Sequence, residues 1–237
     1  MSGPGLIRST RRLVTVAAAL AAAAYAAYVT TTWKSYGNPP APRPDENDDL
    51  LDRFIPEYDV VERHSISIAA PAAEVLAAAK EQDLLELPFV SAIFRARELA
   101  LGASPGDPKQ PRGLLAATQS LGWGVLAERP DREIVVGAVT KPWEPNVVFR
   151  AVPPDRFAAY RTPGEVKIVW TLRADPAENG GSIFRTETRA IATDAIARER
   201  FRTYWSLVAP GVFAIRWLAL QPLKREAERR AGGKAVA

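Results

Sequence analysis

WTLRADPAENGGSIFRTETRAIATDAIARERFRTYW, residues 170–205, decides the fold. With Val166 and Ile168 before it, the first part alternates: Val166, Ile168, Trp170 and Leu172 share one face of a strand. Glu178, Asn179, Gly180 and Gly181 form a hairpin signal, and the returning strand is predicted over 182–193. On it Phe184, Thr186, Thr188, Ala190 and Ala192 share a face, leaving the ladder Arg185, Glu187, Arg189 on the other, the pattern of a solvated sheet face. Asp194 then suits the N-cap of a long helix. Phe201, Tyr204, Trp205, Val208, Val212, Ile215 and Ala219 recur at three- and four-residue steps, so one stripe faces the sheet. Pro210 beside Gly211 predicts a kink, and Pro222 a second disturbance, since proline removes a backbone donor. Beyond Leu223 the helix turns charged and is predicted to protrude into solvent. There Lys224, Arg225, Arg229 and Arg230 alternate with Glu226 and Glu228 as a self-paired end.

Upstream, Val60, Ile66 and Ile68 alternate as a strand, and Pro71 opens a helix in which Val75, Leu76 and Ala79 share a face. A second short helix follows Pro88. Residues 102–113, with three prolines and three glycines, read as a loop. Past Leu114 the pattern is that of strands: Leu121, Trp123, Val125 and Ala127 alternate, and Pro130 and Asp131 turn the chain into 133–139. A further strand is predicted over 157–161. Gly122, Gly124 and Gly137 weaken strand interiors, which suits bending or close approach to the backbone.

The N-terminal part differs in kind. Seventeen uncharged residues, 13–29, follow Arg8, Arg11 and Arg12, and no acidic residue precedes Asp45. The run covers about 26 Å as a helix, which 30–33 extend toward a hydrocarbon core of about 30 Å. Tyr25, Tyr28, Trp33 and Tyr36 suit a membrane interface. The N-terminal arginines place that end in the cytoplasm and send the rest across, as a single-pass cell-membrane protein with an extracytoplasmic domain. The alternative is a cleaved signal peptide, Ala24-Tyr25-Ala26 fitting the small-x-small pattern, and a secreted or periplasmic product. Retention is the favoured reading. GNPPAPRPDENDD, 37–49, then reads as a semi-rigid spacer, rich in proline and then in acid. The expected organisation is a basic arm (1–12), an anchor or signal segment (13–33), a linker (34–53), a folded domain (54–231) and a tail (232–237).

Five of the 31 basic residues precede Asp45, leaving 26 to face all 27 acidic ones, so the folded part is near neutral and no nucleic-acid partner is expected. Cysteine is absent and there is one histidine, which excludes thiol chemistry and a histidine-rich metal site; neither metal nor cofactor is expected.

A strand, two short helices, a run of antiparallel strands and a long terminal helix resembles the SRPBCC, or START-like, superfamily. ISIAAPAAEVLAAA, 66–79, resembles its strand-Ala-Pro-helix opening, and 170–205 its last hairpin and terminal helix. The resemblance implies an α+β helix-grip fold, a curved antiparallel sheet and a helix enclosing an apolar cavity. Relatives use such cavities for lipids, sterols, quinones or polyketides, and a minority for cyclase or hydrolase chemistry. No catalytic residue carries over.

The candidate ligand-binding residues are large apolar side chains on the expected concave face: Trp123, Ile134, Val136, Ile168, Trp170, Phe184, Tyr204 and Val208. Trp143, between two prolines, is a candidate cap on the cavity mouth. Packing in an ordinary core is the alternative for each. His64 shares strand phase with Glu62, but no nucleophile accompanies them, and the histidine reads as an edge residue satisfied by solvent or backbone. The expected function is a membrane-tethered, monomeric domain that holds a hydrophobic small molecule. A cyclase or dehydrase, needing an acid or base aimed into the cavity, and a protein-interaction module with a filled interior are the alternatives.

Overall fold

The computed structural model describes residues 4–102, 111–178 and 180–235. The elements are α1 (Pro4–Ser35), α2 (Asp49–Asp52), β1 (Val60–Ile68), α3 (Ala72–Glu81), α4 (Pro88–Leu101), α5 (Leu114–Ser120), β2 (Gly124–Arg129), β3 (Glu133–Thr140), α6 (Pro154–Phe157), β4 (Val166–Pro176), β5 (Ser182–Ala192) and α7 (Ala195–Ala235). Most of the loop expected over 102–113, and Asn179 of the hairpin signal, lie outside the described residues.

All pairings are antiparallel, in the order β1-β5-β4-β3-β2, so β1 and β2 are the edges. The register puts Val60, Glu62, His64, Ile66 and Ile68 of β1 on the same face as Phe184, Thr186, Thr188 and Ala190 of β5. Trp170 and Leu172 of β4 join them. Across this face runs α7. Asp194 caps it as expected, its carboxylate accepting from the Ala197 N–H at 2.7 Å. The helix continues unbroken through Pro210 and Pro222 to Ala235.

Four local expectations change. Residues 114–120 are helical, with a strand pattern resuming only at Gly124. Trp123 precedes β2, and a register shift between Val125 and Ala127 turns Leu126 and Ala127 both toward the outer face, ending the expected alternation. The strand expected over 157–161 is instead the end of short helix α6 and coil; Phe157 plugs the outer core instead of pairing. The charged end of α7 does not protrude. Leu220, Leu223 and Ala227 keep the apolar stripe going and are buried against α3, while Lys224 donates to the Ser67 carbonyl at 3.0 Å and Arg230 pairs with Glu81 at 2.7 Å. The self-pairing of that end is present, as Glu226 with Arg229 and Arg230.

The larger correction is on the outer face. The stretch read as a spacer lies along the sheet. Leu50, Leu51, Phe54 and Ile55 form a second core with Val135, Val139, Val152, Phe157 and Val169. Asp48, itself buried, caps α2 by accepting from the Leu51 N–H at 2.9 Å. The charge ladder is therefore covered, not solvated. Arg189 is 2% exposed; it pairs with Glu187 at 2.7 Å and with Asp52, donates to the Ile55 carbonyl at 2.9 Å, and lies 4.7 Å above the Tyr58 ring. Arg185 reaches Asp45 at 3.0 Å, and Arg173 donates to the Asn47 carbonyl at 2.8 Å. Asp45 of the stretch read as a spacer, through Arg185, and Asp52 just beyond it, through Arg189, are counter-charges of the ladder.

Candidate functional site: the polar belt inside the grip

The inner face divides into three zones. At one end Ile134, Val136, Trp170, Phe184 and Leu172 pack with Val75, Leu76 and Ala79 of α3 and with Leu220, Leu223 and Ala227 of α7, with Trp123 half-buried beside them. This end is filled by α3. At the other end Val60, Val166, Phe201 and Trp205 are buried, with Trp143, Ile168, Tyr204, Val208 and Val212 half-buried around them. The nine candidate apolar residues are thus not one lining: Trp123, Ile134, Val136, Trp170 and Phe184 belong to the first zone, and Trp143, Ile168, Tyr204 and Val208 to the second.

Between them lies a polar belt. Arg216 projects from α7 and donates to the Thr186 and Thr188 hydroxyls, each at 2.5 Å, with its guanidinium 5.8 Å above the Trp170 ring. Glu62 and His64 face it from β1, opposite Thr188 and Thr186 in the register. Glu62 Oε2 is 3.7 Å from His64 Nε2, and the Phe213 ring lies 5.1 Å from the imidazole. His64 Nε2 is buried and has no hydrogen-bond partner, so it is not an edge histidine satisfied by solvent.

Burial sets the protonation of the belt. It pushes the Glu62 carboxyl up to about 7, with Arg216 opposing weakly. It pushes His64 down to about 4, helped by Arg216. The Arg216 guanidinium is lowered to about 10 by the same burial, partly offset by Glu62, and stays charged at neutral pH. The belt near pH 7 thus holds a neutral imidazole, a carboxyl poised between forms, and a fixed cation. No carboxylate among the described residues comes within ion-pair distance of Arg216; its hydrogen bonds go to two neutral hydroxyls.

A cleft of about 210 Å³ lies at the β1 edge and shares Glu62 with this belt. Tyr28, Thr31, Thr32 and Tyr36 of and just beyond α1 line it on one side, with residues 59–62 and Trp205 completing the lining. That side exists because α1 docks on α7. Tyr25 donates to the Leu207 carbonyl at 2.7 Å, Arg202 donates to the Trp33 carbonyl at 2.9 Å, and Tyr28 contacts Phe213. Tyr36 packs edge-on against Phe201 and donates to Asp59, which also pairs with Arg198 at 2.8 Å. The first half of α1 leaves the domain, with Leu13, Val14, Val16 and Leu20 exposed. Among the described residues two helices are long and apolar enough to cross a membrane, Arg12–Ser35 and Ala195–Gly233, and the second is the one that grips the sheet.

A long terminal helix laid across one face of a five-stranded antiparallel sheet, with the first strand returning beside the last, settles the architecture. The chain has the helix-grip fold. No family model matches the chain, and no curated protein does. Among solved structures it is similar to a protein from Helicobacter pylori at 9% identity and TM-score 0.36, covering 81% of this chain and 99% of that one. A protein from Deinococcus radiodurans matches at 15% identity and TM-score 0.30, over 71% and 97% of the two chains. An aromatase/cyclase from Streptomyces sp. R1128 matches at 14% and 0.25, over 72% and 94%. At such scores these likenesses carry no argument about function, and the fold assignment rests on the strand order and terminal helix of this chain.

Sequence reasoning saw Glu62 and His64 in phase but missed their partner. It stepped along α7 from Val212 to Ile215 to Ala219. The buried stripe steps instead through Trp205, Ala209, Leu220, Leu223 and Ala227, and at helical spacing between Ala209 and Leu220 it passes through Arg216. A lone arginine on an otherwise apolar helix stripe was the available signal.

Proposed function

We propose that this protein is a membrane-anchored ligand-binding domain that receives a hydrophobic small molecule, of lipid, quinone or polyketide-like character, through the cleft beside α1. The observation that carries the reading is the cleft itself: the helix read as the anchor lines it, and so does Glu62 of the belt. In this reading a molecule leaving the bilayer along α1 enters beside Val60 and Trp205, against which Ile168, Tyr204, Val208 and Trp143 pack. Burial of apolar surface, at about 25 cal/mol per Å², supplies the affinity. The filled zone around Trp170 and Phe184 acts as the floor. In this reading the N-terminus is cytoplasmic and the domain lies outside, held monomeric against the outer leaflet.

Glu62 favours a second reading, a cyclase- or dehydrase-type enzyme, because it is an interior carboxyl poised near neutral pH. Native mass spectrometry of the full chain purified in mild detergent tests the first reading, the expected result being a co-purifying apolar molecule. Repeated absence of any bound species would remove it. Protease added to intact spheroplasts is expected to digest the domain; protection until detergent is added would refute the orientation, and soluble protein beginning near Tyr28 would indicate cleavage instead of anchoring.

A further inference from the structure

We infer that Arg216 is a head-group site, and that the ligand of the grip is an amphiphile ending in a carboxylate. The inference rests on the ligand-binding reading above and specifies which member of that broad class the interior takes. Arg216 is half-buried between sheet and helix, and a guanidinium kept there without a contacting counter-ion is costly; folds that keep one supply an anion or receive it. Here the two hydroxyls that hold Arg216 orient it without neutralising it. The Trp170 ring lies 5.8 Å from the guanidinium, and the two hydroxyls take only two of its five donors.

A second, independent observation points to the same place. The His64 side chain is only 6% exposed, and its Nε2 is buried without a partner, opposite Thr186 across the β1–β5 pair. A neutral imidazole there offers one hydrogen bond to a group lying between it and Arg216. Among the described residues the charged and titratable groups around that point are Arg216, Glu62 and His64, with the neutral Tyr28 phenol beside Glu62. Glu62 is the one group that would oppose an anion, and burial already disfavours its ionised form. A single negative charge is tolerated beside it; a phosphate dianion is not. A carboxylate matches the planar fork of guanidinium donors. The apolar tail then runs from the belt toward Ile168, Tyr204 and Val208, and out along the α1 cleft.

The test compares palmitate with methyl palmitate, identical in tail, on the full chain in dodecyl maltoside at pH 8, by competition for retention. The native chain is expected to hold palmitate about tenfold or more over the ester, the scale of a charge-assisted pair. Arg216→Gln should erase that preference, Arg216→Lys should keep part of it, and Glu62→Gln should enlarge it. Equal retention of acid and ester by the native chain overturns the head-group site while leaving the apolar pocket standing. A preference that survives in Arg216→Gln, with its melting transition intact, overturns it as well. Retention of neither molecule removes the site together with the reading on which it rests. The native comparison needs no variant, so a failure of Arg216→Gln to fold does not spare the inference.

Discussion

Truncating Leu51 to alanine separates a docked outer segment from a spacer. Leu51 is fully buried, sits one turn into a helix capped by Asp48, and contacts a cluster formed by Phe54, Ile55, Val135, Val139, Phe157 and Val169. Removing three buried carbon atoms forfeits roughly 2 kcal/mol of transfer free energy. The vacated volume adds to this. It is bounded by strand residues fixed in two ladders and by Phe157, wedged edge-on against Phe54 at 6.2 Å, so the site collapses poorly. The expected loss is therefore about 3 to 4 kcal/mol, in the upper part of the Leu→Ala range. The assay is urea denaturation of the full chain in mild detergent, followed by tryptophan fluorescence. None of the six tryptophans lies in this cluster, so the probe reports global unfolding. A spacer residue would cost under about 0.5 kcal/mol. A loss that small, or a transition that splits into two with the outer segment melting separately, would refute the second core.

The belt makes a pH prediction with opposite signs for its two titrating members. Between pH 4.5 and about 7 folded Glu62 binds more proton than the unfolded chain, so its contribution falls as pH rises; between about 4 and 6.5 folded His64 binds less, so its contribution rises. Relative to the parent chain, Glu62→Gln should thus gain stability as pH rises through the first window, and His64→Gln should gain as pH falls through the second, each by about 3 kcal/mol. Denaturation curves that stay parallel to the parent at all pH values would show that neither group is buried as described. Gly122→Ala should cost about 1 to 3 kcal/mol, because φ there is 100° and an added Cβ would lie 2.2 Å from the Phe149 carbonyl oxygen; an unchanged melting temperature would contradict the close approach. A chain ending at Thr193 should show no cooperative thermal transition, since α7 supplies one wall of both inner zones.

The α+β class and most of the strand-helix order were legible in the chain because they rest on local periodicity, and the grip followed from the resemblance that this order carries. The alternation through 166–172 and 182–192, the hairpin glycines, Asp194 before the long helix and Pro71 before α3 each report on neighbours within a few residues. The exposed apolar half of α1 was equally plain from composition. What periodicity could not tell is what covers a face. A row of alternating arginine and glutamate looks solvated whether water or the carboxylates of another segment neutralise it, so the burial of Arg189 beneath 48–55 depended on contacts more than 130 residues apart in sequence. The same holds for the tail of α7, whose charges hid a continuing stripe of Leu220, Leu223 and Ala227. The belt shows the limit most sharply. Glu62, His64, Thr186, Thr188 and Arg216 come from three elements, and only the β1–β5 register and the angle at which α7 crosses it bring them together. The sequence by itself determined which residues could line a grip; tertiary structure decided which end is filled, which is open, and that a cation stands between them, because those are facts of packing between segments with no shared local pattern.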